Sequence, residues 1–270
     1  MVTRRAWLVV GWWAGGLAAW AAEPTLADGW RALAEAKATE AREIFRQAQA
    51  RPAEARAAKL GEAVALLTLQ PKTTGNVTAA RRRCEELIAD RGDDEWAARA
   101  HYFLGRIAQL HTQPVDYAGA ARHYTELAAR WTGTELAQHA LVSLALGQLL
   151  EPVPAEERAR RYAALRAREG ELTQPAARRD FHLALADACL EYDLGLEHAL
   201  HHSLQAEAAG VVQGQRQASV LLRIAELART LGQRERAREY YGRFLTQVRG
   251  VDVRLALVRE RLAELGEARP

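Results

Sequence analysis

A triplet that returns about every forty residues constrains this chain more than any other feature. A small residue is followed by an aromatic or small apolar residue four positions on, and by an apolar one three beyond that. The instances are Ala41/Phe45/Ala48, Ala80/Cys84/Leu87, Ala120/Tyr124/Leu127, Arg158/Tyr162/Leu165, Ala199/Ser203/Ala206 and Ala237/Tyr241/Phe244, their first members 39, 40, 38, 41 and 38 residues apart. Offsets of four and seven put all three residues on one helix face. Gly92, Gly133, Gly170, Gly210 and Gly250 each follow one of these helices, where glycine supplies the left-handed C′ conformation. Prolines fall in the other gaps, Pro52 and Pro175 between units and Pro71, Pro114, Pro152 and Pro154 within them. A second apolar-periodic segment precedes the triplet helix, as at 95–110, 136–150, 176–192 and 217–231. Each unit therefore reads as a helix-turn-helix hairpin that must stack on its neighbours to bury a core. The expected fold is an all-α solenoid of about six hairpins, with segment 251–265 as a C-terminal capping helix.

Composition agrees with that reading. Ala, Leu, Arg and Glu, all strong helix formers, dominate, and Val, Ile and Thr are sparse. A formal charge of +3, from 37 basic and 34 acidic residues spread along the chain, gives no nucleic-acid surface. The N-terminal stretch carries Arg4 and Arg5, then an apolar run to Trp20 with Ala19-Trp20-Ala21 at its end. That is the layout of a secretory signal peptide over residues 1–21, leaving 22–270 as the repeat domain. The run is short for a spanning helix, so membrane attachment is expected only if the segment is retained. Thr3-Arg4-Arg5 also fits a twin-arginine signal. Removing residues 1–21 takes away two arginines and no acid, which brings the charge still closer to balance.

The last unit places Leu221, Ile224, Ala225, Ala228, Gly232, Ala237, Tyr241 and Phe244 at the spacing of the tetratricopeptide pattern, and the third reads Leu104-Gly105 followed by Asp116-Tyr117-Ala118-Gly119-Ala120 into Tyr124 and Leu127. From about residue 25 to 250 the chain resembles the tetratricopeptide repeat family, and the third unit resembles repeats of periplasmic Tol-Pal coordinator and outer-membrane assembly proteins. Arg158 at a small-residue position and Ser203 at an aromatic one depart from the pattern. The resemblance implies a right-handed solenoid whose first helices line a concave groove. It implies a protein or peptide ligand, no cofactor and no catalysis, in a bacterial envelope scaffold that is periplasmic or secreted. Carried onto the two best units, it selects Arg99, Tyr102, Arg106 and Gln109, and Ser219, Glu226 and Arg229, as groove residues. Arg and Tyr are enriched at interaction hot spots; an ordinary solvated face is the plainer alternative.

Other chemistry is thin. No H-E-x-x-H, C-x-x-C, G-x-S-x-G or Walker sequence occurs. Cys84 and Cys189 lie three units apart, so two separate buried thiols are expected rather than a bridge. Runs such as Arg81-Arg82-Arg83 and Arg158/Arg160/Arg161 stand beside glutamates and read as mixed, solvated faces. His198 and His202, at i,i+4 on one helix with His201 beside them, are the sole hint of a metal or small-molecule site. Neighbouring sequence offers no third ligand, and a polar helix face is the alternative.

Overall fold

A computed structural model describes residues 24–211, 214–248 and 252–266. The segment read as a signal peptide, Gly250, Val251 and the last four residues lie outside them. Thirteen α-helices follow in order: α1 (Leu26–Ala34), α2 (Ala38–Ala48), α3 (Ala55–Thr68), α4 (Thr74–Asp90), α5 (Glu95–Leu110), α6 (Tyr117–Arg130), α7 (Glu135–Leu150), α8 (Ala155–Arg166), α9 (Pro175–Glu191), α10 (Leu196–Ala208), α11 (Gln215–Thr230), α12 (Arg234–Gln247) and α13 (Arg254–Gly266). No strand occurs among the described residues. Odd-numbered helices α1 to α11 are the first (A) members of six hairpins, even-numbered ones the second (B) members, and α13 caps the end.

Local chemistry starts several helices where the sequence carries a capping residue. Thr25, Thr73, Asp94, Asp116 and Thr134 each accept a hydrogen bond from a backbone N–H of the first turn, satisfying donors that have no partner within the helix. Pro175 opens α9, where its missing N–H is not needed. At the C-terminal ends, Gly133 (φ 81°) and Gly210 (φ 92°) take the left-handed conformation expected of them. Gly92 and Gly170 do not; Gly170 instead sits in the 3-10 turn Glu169–Glu171.

Every position of the six triplets except Arg158 is buried. B helices pack on their own A helix and on the next, while A helices also touch one another, α1 on α3, α3 on α5, α5 on α7 and α7 on α9. The B helices are spaced more widely, so the A side is the inner, concave side of the stack. Aromatic knobs fill the seams against glycine. A Cβ added at Gly29 or Gly61 would come within 2.7 or 2.5 Å of the Phe45 ring, and one at Gly105 within 2.5 Å of Tyr124. Buried polar groups tie units together. Glu62 accepts from Gln49 (2.8 Å) and Arg83 (2.9 Å), and Gln138 accepts from the backbone of Thr173 and Gln174 (2.9 and 2.8 Å). Cys84 and Cys189 are free, buried and in separate apolar clusters, and burial pushes the Cys84 thiol up to about 12.

The fourth hairpin departs from this scheme. α8 packs weakly on α7 and scarcely meets α9, and α7 instead packs directly against α9. Arg158 stands in this unit where the other five have alanine. A guanidinium cannot enter a crossing sized for a methyl group. It lies over the Tyr192 ring, 3.8 Å from the centroid, and donates to the carbonyls of Leu149 (3.4 Å) and Glu151 (3.1 Å). Displacement of α8 carries Tyr162 and the following 3-10 turn toward α9 and α10.

Candidate functional site

On the A-helix side, Arg99 and Arg106 are exposed and Tyr102 half-buried. Their 3- and 4-residue spacing sets them in one row along α5. Arg99 makes only an exposed contact with Glu95 (3.7 Å) and lies 5.7 Å from the Trp96 ring; Arg106 lies 6.0 Å from the Tyr102 ring. Such exposed pairs contribute little and leave both guanidiniums available. Arg99 also edges an open depression between α5 and α7, together with Glu95, Trp131, Leu136 and His139. Gln109 is differently placed. It accepts from the Tyr124 hydroxyl (3.1 Å) and donates to the carbonyl of Ser143 (3.4 Å), bracing α5 to α6 and α7.

The set chosen in the sixth hairpin is largely committed within the fold. Glu226 accepts from the Tyr241 hydroxyl (2.6 Å) and from Arg229 (3.0 Å), and that bond raises the Arg229 pKa. Ser219 accepts from Arg254 at the start of α13 (3.0 Å) and donates to the carbonyl of Gln215 (2.9 Å). The two sets lie on α5 and α11, with α7 and α9 between them. The structure also supplies residues that sequence reasoning passed over. Leu110, Leu146, Leu150 and Leu190, near the C-terminal ends of successive A helices, are 55%, 39%, 55% and 40% exposed. Their signal was present, as leucines ending each A segment, but the triplet pattern gave no reason to separate them from core.

The histidines form a different group from the one their spacing suggested. His202 is fully buried rather than part of a polar face, and neither of its ring nitrogens faces His198. Its Nε2 is 2.9 Å from the Tyr162 hydroxyl, and its Nδ1 is 3.0 Å from Nδ1 of His182 on α9 and 3.6 Å from Oε1 of Glu169. Burial holds both imidazoles neutral, lowering His202 to about 3 and His182 to about 4. The 3.6 Å approach to Glu169 is therefore not an ion pair at neutral pH. His198 sits apart, its ring 5.5 Å from that of Tyr162. A second, part-buried histidine contact joins α5 to α6, with Nδ1 of His101 3.2 Å from Nδ1 of His123.

Four arginines of the two runs pair with glutamates, Arg82 with Glu86 (2.9 Å), Arg83 with Glu62 and Glu86, Arg161 with Glu151 and Glu157, and Arg160 with Glu156 and Glu157, whereas Arg158 departs from the expected solvated face and lies against backbone carbonyls and Tyr192. No helix of the described residues is long and apolar enough to cross a membrane.

These features define the chain as an all-α array of helix-turn-helix units with an open A-helix face. No protein-family model matches it, and no curated protein matches it in sequence. Among solved structures, a tetratricopeptide repeat protein from Parabacteroides merdae is similar, with a TM-score of 0.48 and 12% identity over 90% of this chain and 83% of that one.

Proposed function

We propose that this protein is a non-catalytic scaffold of the bacterial cell envelope that binds a protein or peptide segment along its A-helix face. The observation that carries the reading is the run of solvent-exposed side chains on three successive A helices, Arg99 and Arg106 with the half-buried Tyr102 on α5, and Leu110, Leu146, Leu150 and Leu190 near the C-terminal ends of α5, α7 and α9. Apolar anchors beside guanidinium and phenol groups are the residue types that dominate binding energy in protein interfaces. Stacked hairpins present such a strip as an extended surface suited to an elongated ligand. Export through a cleaved segment 1–21 belongs to the same proposal, and N-terminal sequencing of the protein from an envelope fraction checks it; an intact Met1 would support the tethered form instead.

Affinity capture from envelope extract, comparing the wild-type chain with Arg99→Ala/Arg106→Ala, tests the binding face. Both side chains are exposed, so far-UV circular dichroism and melting temperature are expected to match wild type. The partner retained by wild type is expected to be depleted at least tenfold, corresponding to about 1.4 kcal/mol or more of lost affinity. An unchanged partner list with the double variant would remove α5 from the binding face.

A further inference from the structure

Glu169 comes from the 3-10 turn after α8, His182 from α9 and His202 from α10, and one ligand atom from each lies within 4.8 Å of the other two. His182 and His202 face each other through Nδ1 atoms 3.0 Å apart, and Glu169 Oε1 stands 3.6 Å from the same nitrogen of His202. Ligand atoms on a tetrahedral ion with bonds of about 2.0–2.2 Å sit roughly 3.3–3.5 Å apart, so these separations need little adjustment. A second observation points to a cation. Glu169 Oε1 is a buried oxygen without a hydrogen-bond donor, and a carboxylate oxygen taken from water needs a positive or donating partner.

The outer contacts suit the same purpose. With an ion held by both Nδ1 lone pairs, His202 would carry its proton on Nε2, where it would donate to the Tyr162 oxygen 2.9 Å away. Such a bond fixes the tautomer and ring orientation of a ligating imidazole. Beyond Glu169 the surface opens into a shallow depression lined by Tyr162, Arg166 and His198, which leaves room for a fourth ligand such as water.

We propose that Glu169, His182 and His202 bind one divalent transition-metal ion of the zinc class. Two imidazole nitrogens and one carboxylate oxygen are a donor set that suits zinc and disfavours calcium or magnesium, which prefer oxygen. The ion would act as a clip, fastening the segment after the displaced α8 to the α9–α10 hairpin.

The test uses the full-length protein stripped with a chelator and freed of it, titrated calorimetrically with zinc chloride. One ion per chain and a rise in melting temperature with zinc are expected. His202 is fully buried and its replacement could unfold the hairpin, so Glu169→Gln, near the surface and of equal size, is the diagnostic variant. It is expected to keep the wild-type circular dichroism spectrum and to weaken zinc binding about tenfold or more, the scale at which even supporting partners of metal ligands act. His198→Ala/His201→Ala is expected to bind zinc like wild type. Cobalt substitution should give the intense visible absorption of a four-coordinate site in wild type and a weakened one in Glu169→Gln. Absence of saturable zinc binding, undiminished binding by Glu169→Gln, or loss of binding in His198→Ala/His201→Ala would each overturn the proposal.

Discussion

At Gly105 the backbone of α5 lies flush against the Tyr124 ring, with no room for a methyl group. Gly105→Ala is therefore expected to destabilise by about 1–3 kcal/mol despite improving helix propensity, because overpacking outweighs it. An unchanged or raised denaturation midpoint would contradict that packing. Tyr241 is the reverse case, fully buried with its hydroxyl bonded to Glu226. Tyr241→Ala leaves a cavity and an unpaired acceptor, and a loss of roughly 3–5 kcal/mol in chemical unfolding is expected. Ala36 ends α1 at φ 59°, with the Lys37 N–H donating to the carbonyl of Ala32 (2.8 Å), a turn that glycine enters without steric cost. Ala36→Gly should stabilise by about 0.5–1 kcal/mol, the gain in the folded turn exceeding glycine's unfolded-state entropy. A lowered midpoint would count against the left-handed geometry.

At the scale of the element, the α5–α6 hairpin carries a pH dependence that can be assigned. Burial first, then the neighbouring His101, lowers His123 to about 4, and burial lowers His101 as well. Arg122 and Arg81 oppose protonation of His123 more than Asp116 favours it, whereas at His101 Glu126 favours protonation more than Arg130 opposes it, and burial decides the direction. Folded values below the unfolded value mean that the unfolded chain takes up protons first as pH falls. The stability that His123 contributes is complete above pH 6.5 and declines toward pH 4, by roughly 2 kcal/mol after discounting for its partial exposure, and His101 acts in the same direction. Unfolding free energies measured across that window should fall more steeply for wild type than for His123→Gln; equal slopes would show that the pair does not titrate there. The hairpins themselves were readable from the chain, since offsets of four and seven and capping residues are local signals. Arg158 showed that the fourth unit was irregular but not where its helix would go, because that depends on Tyr192, thirty-four residues away. The His182/His202/Glu169 group was invisible for the same reason. Helical spacing joined His202 to His198, whereas the turn after α8 and the α9–α10 crossing join it to residues that no local period connects. Gln109 and Glu226 looked like free groove residues because their hydroxyl partners, Tyr124 and Tyr241, lie on the other helix of the hairpin.

Across the whole molecule, the described apolar residues divide into three clusters, one joining α1 to α3, one spanning α3 to α5, and one running from α5 to α13. Neighbour-only packing of this kind makes stability a sum over units and seams. The first cluster is the smallest, so amide hydrogen exchange under native conditions is expected to release α1 and α2 before α9 to α12; uniform protection would point to one cooperative unit. The displacement of α8 has another consequence. Direct packing of α7 on α9 means that the two halves of the array meet without its help, while segment 151–174 exposes Arg160 and Arg166 to solvent. A protease that cuts after arginine should therefore sever the chain there first, yet leave the particle whole. It would elute at its original size from a gel-filtration column and separate into two polypeptides only in denaturant.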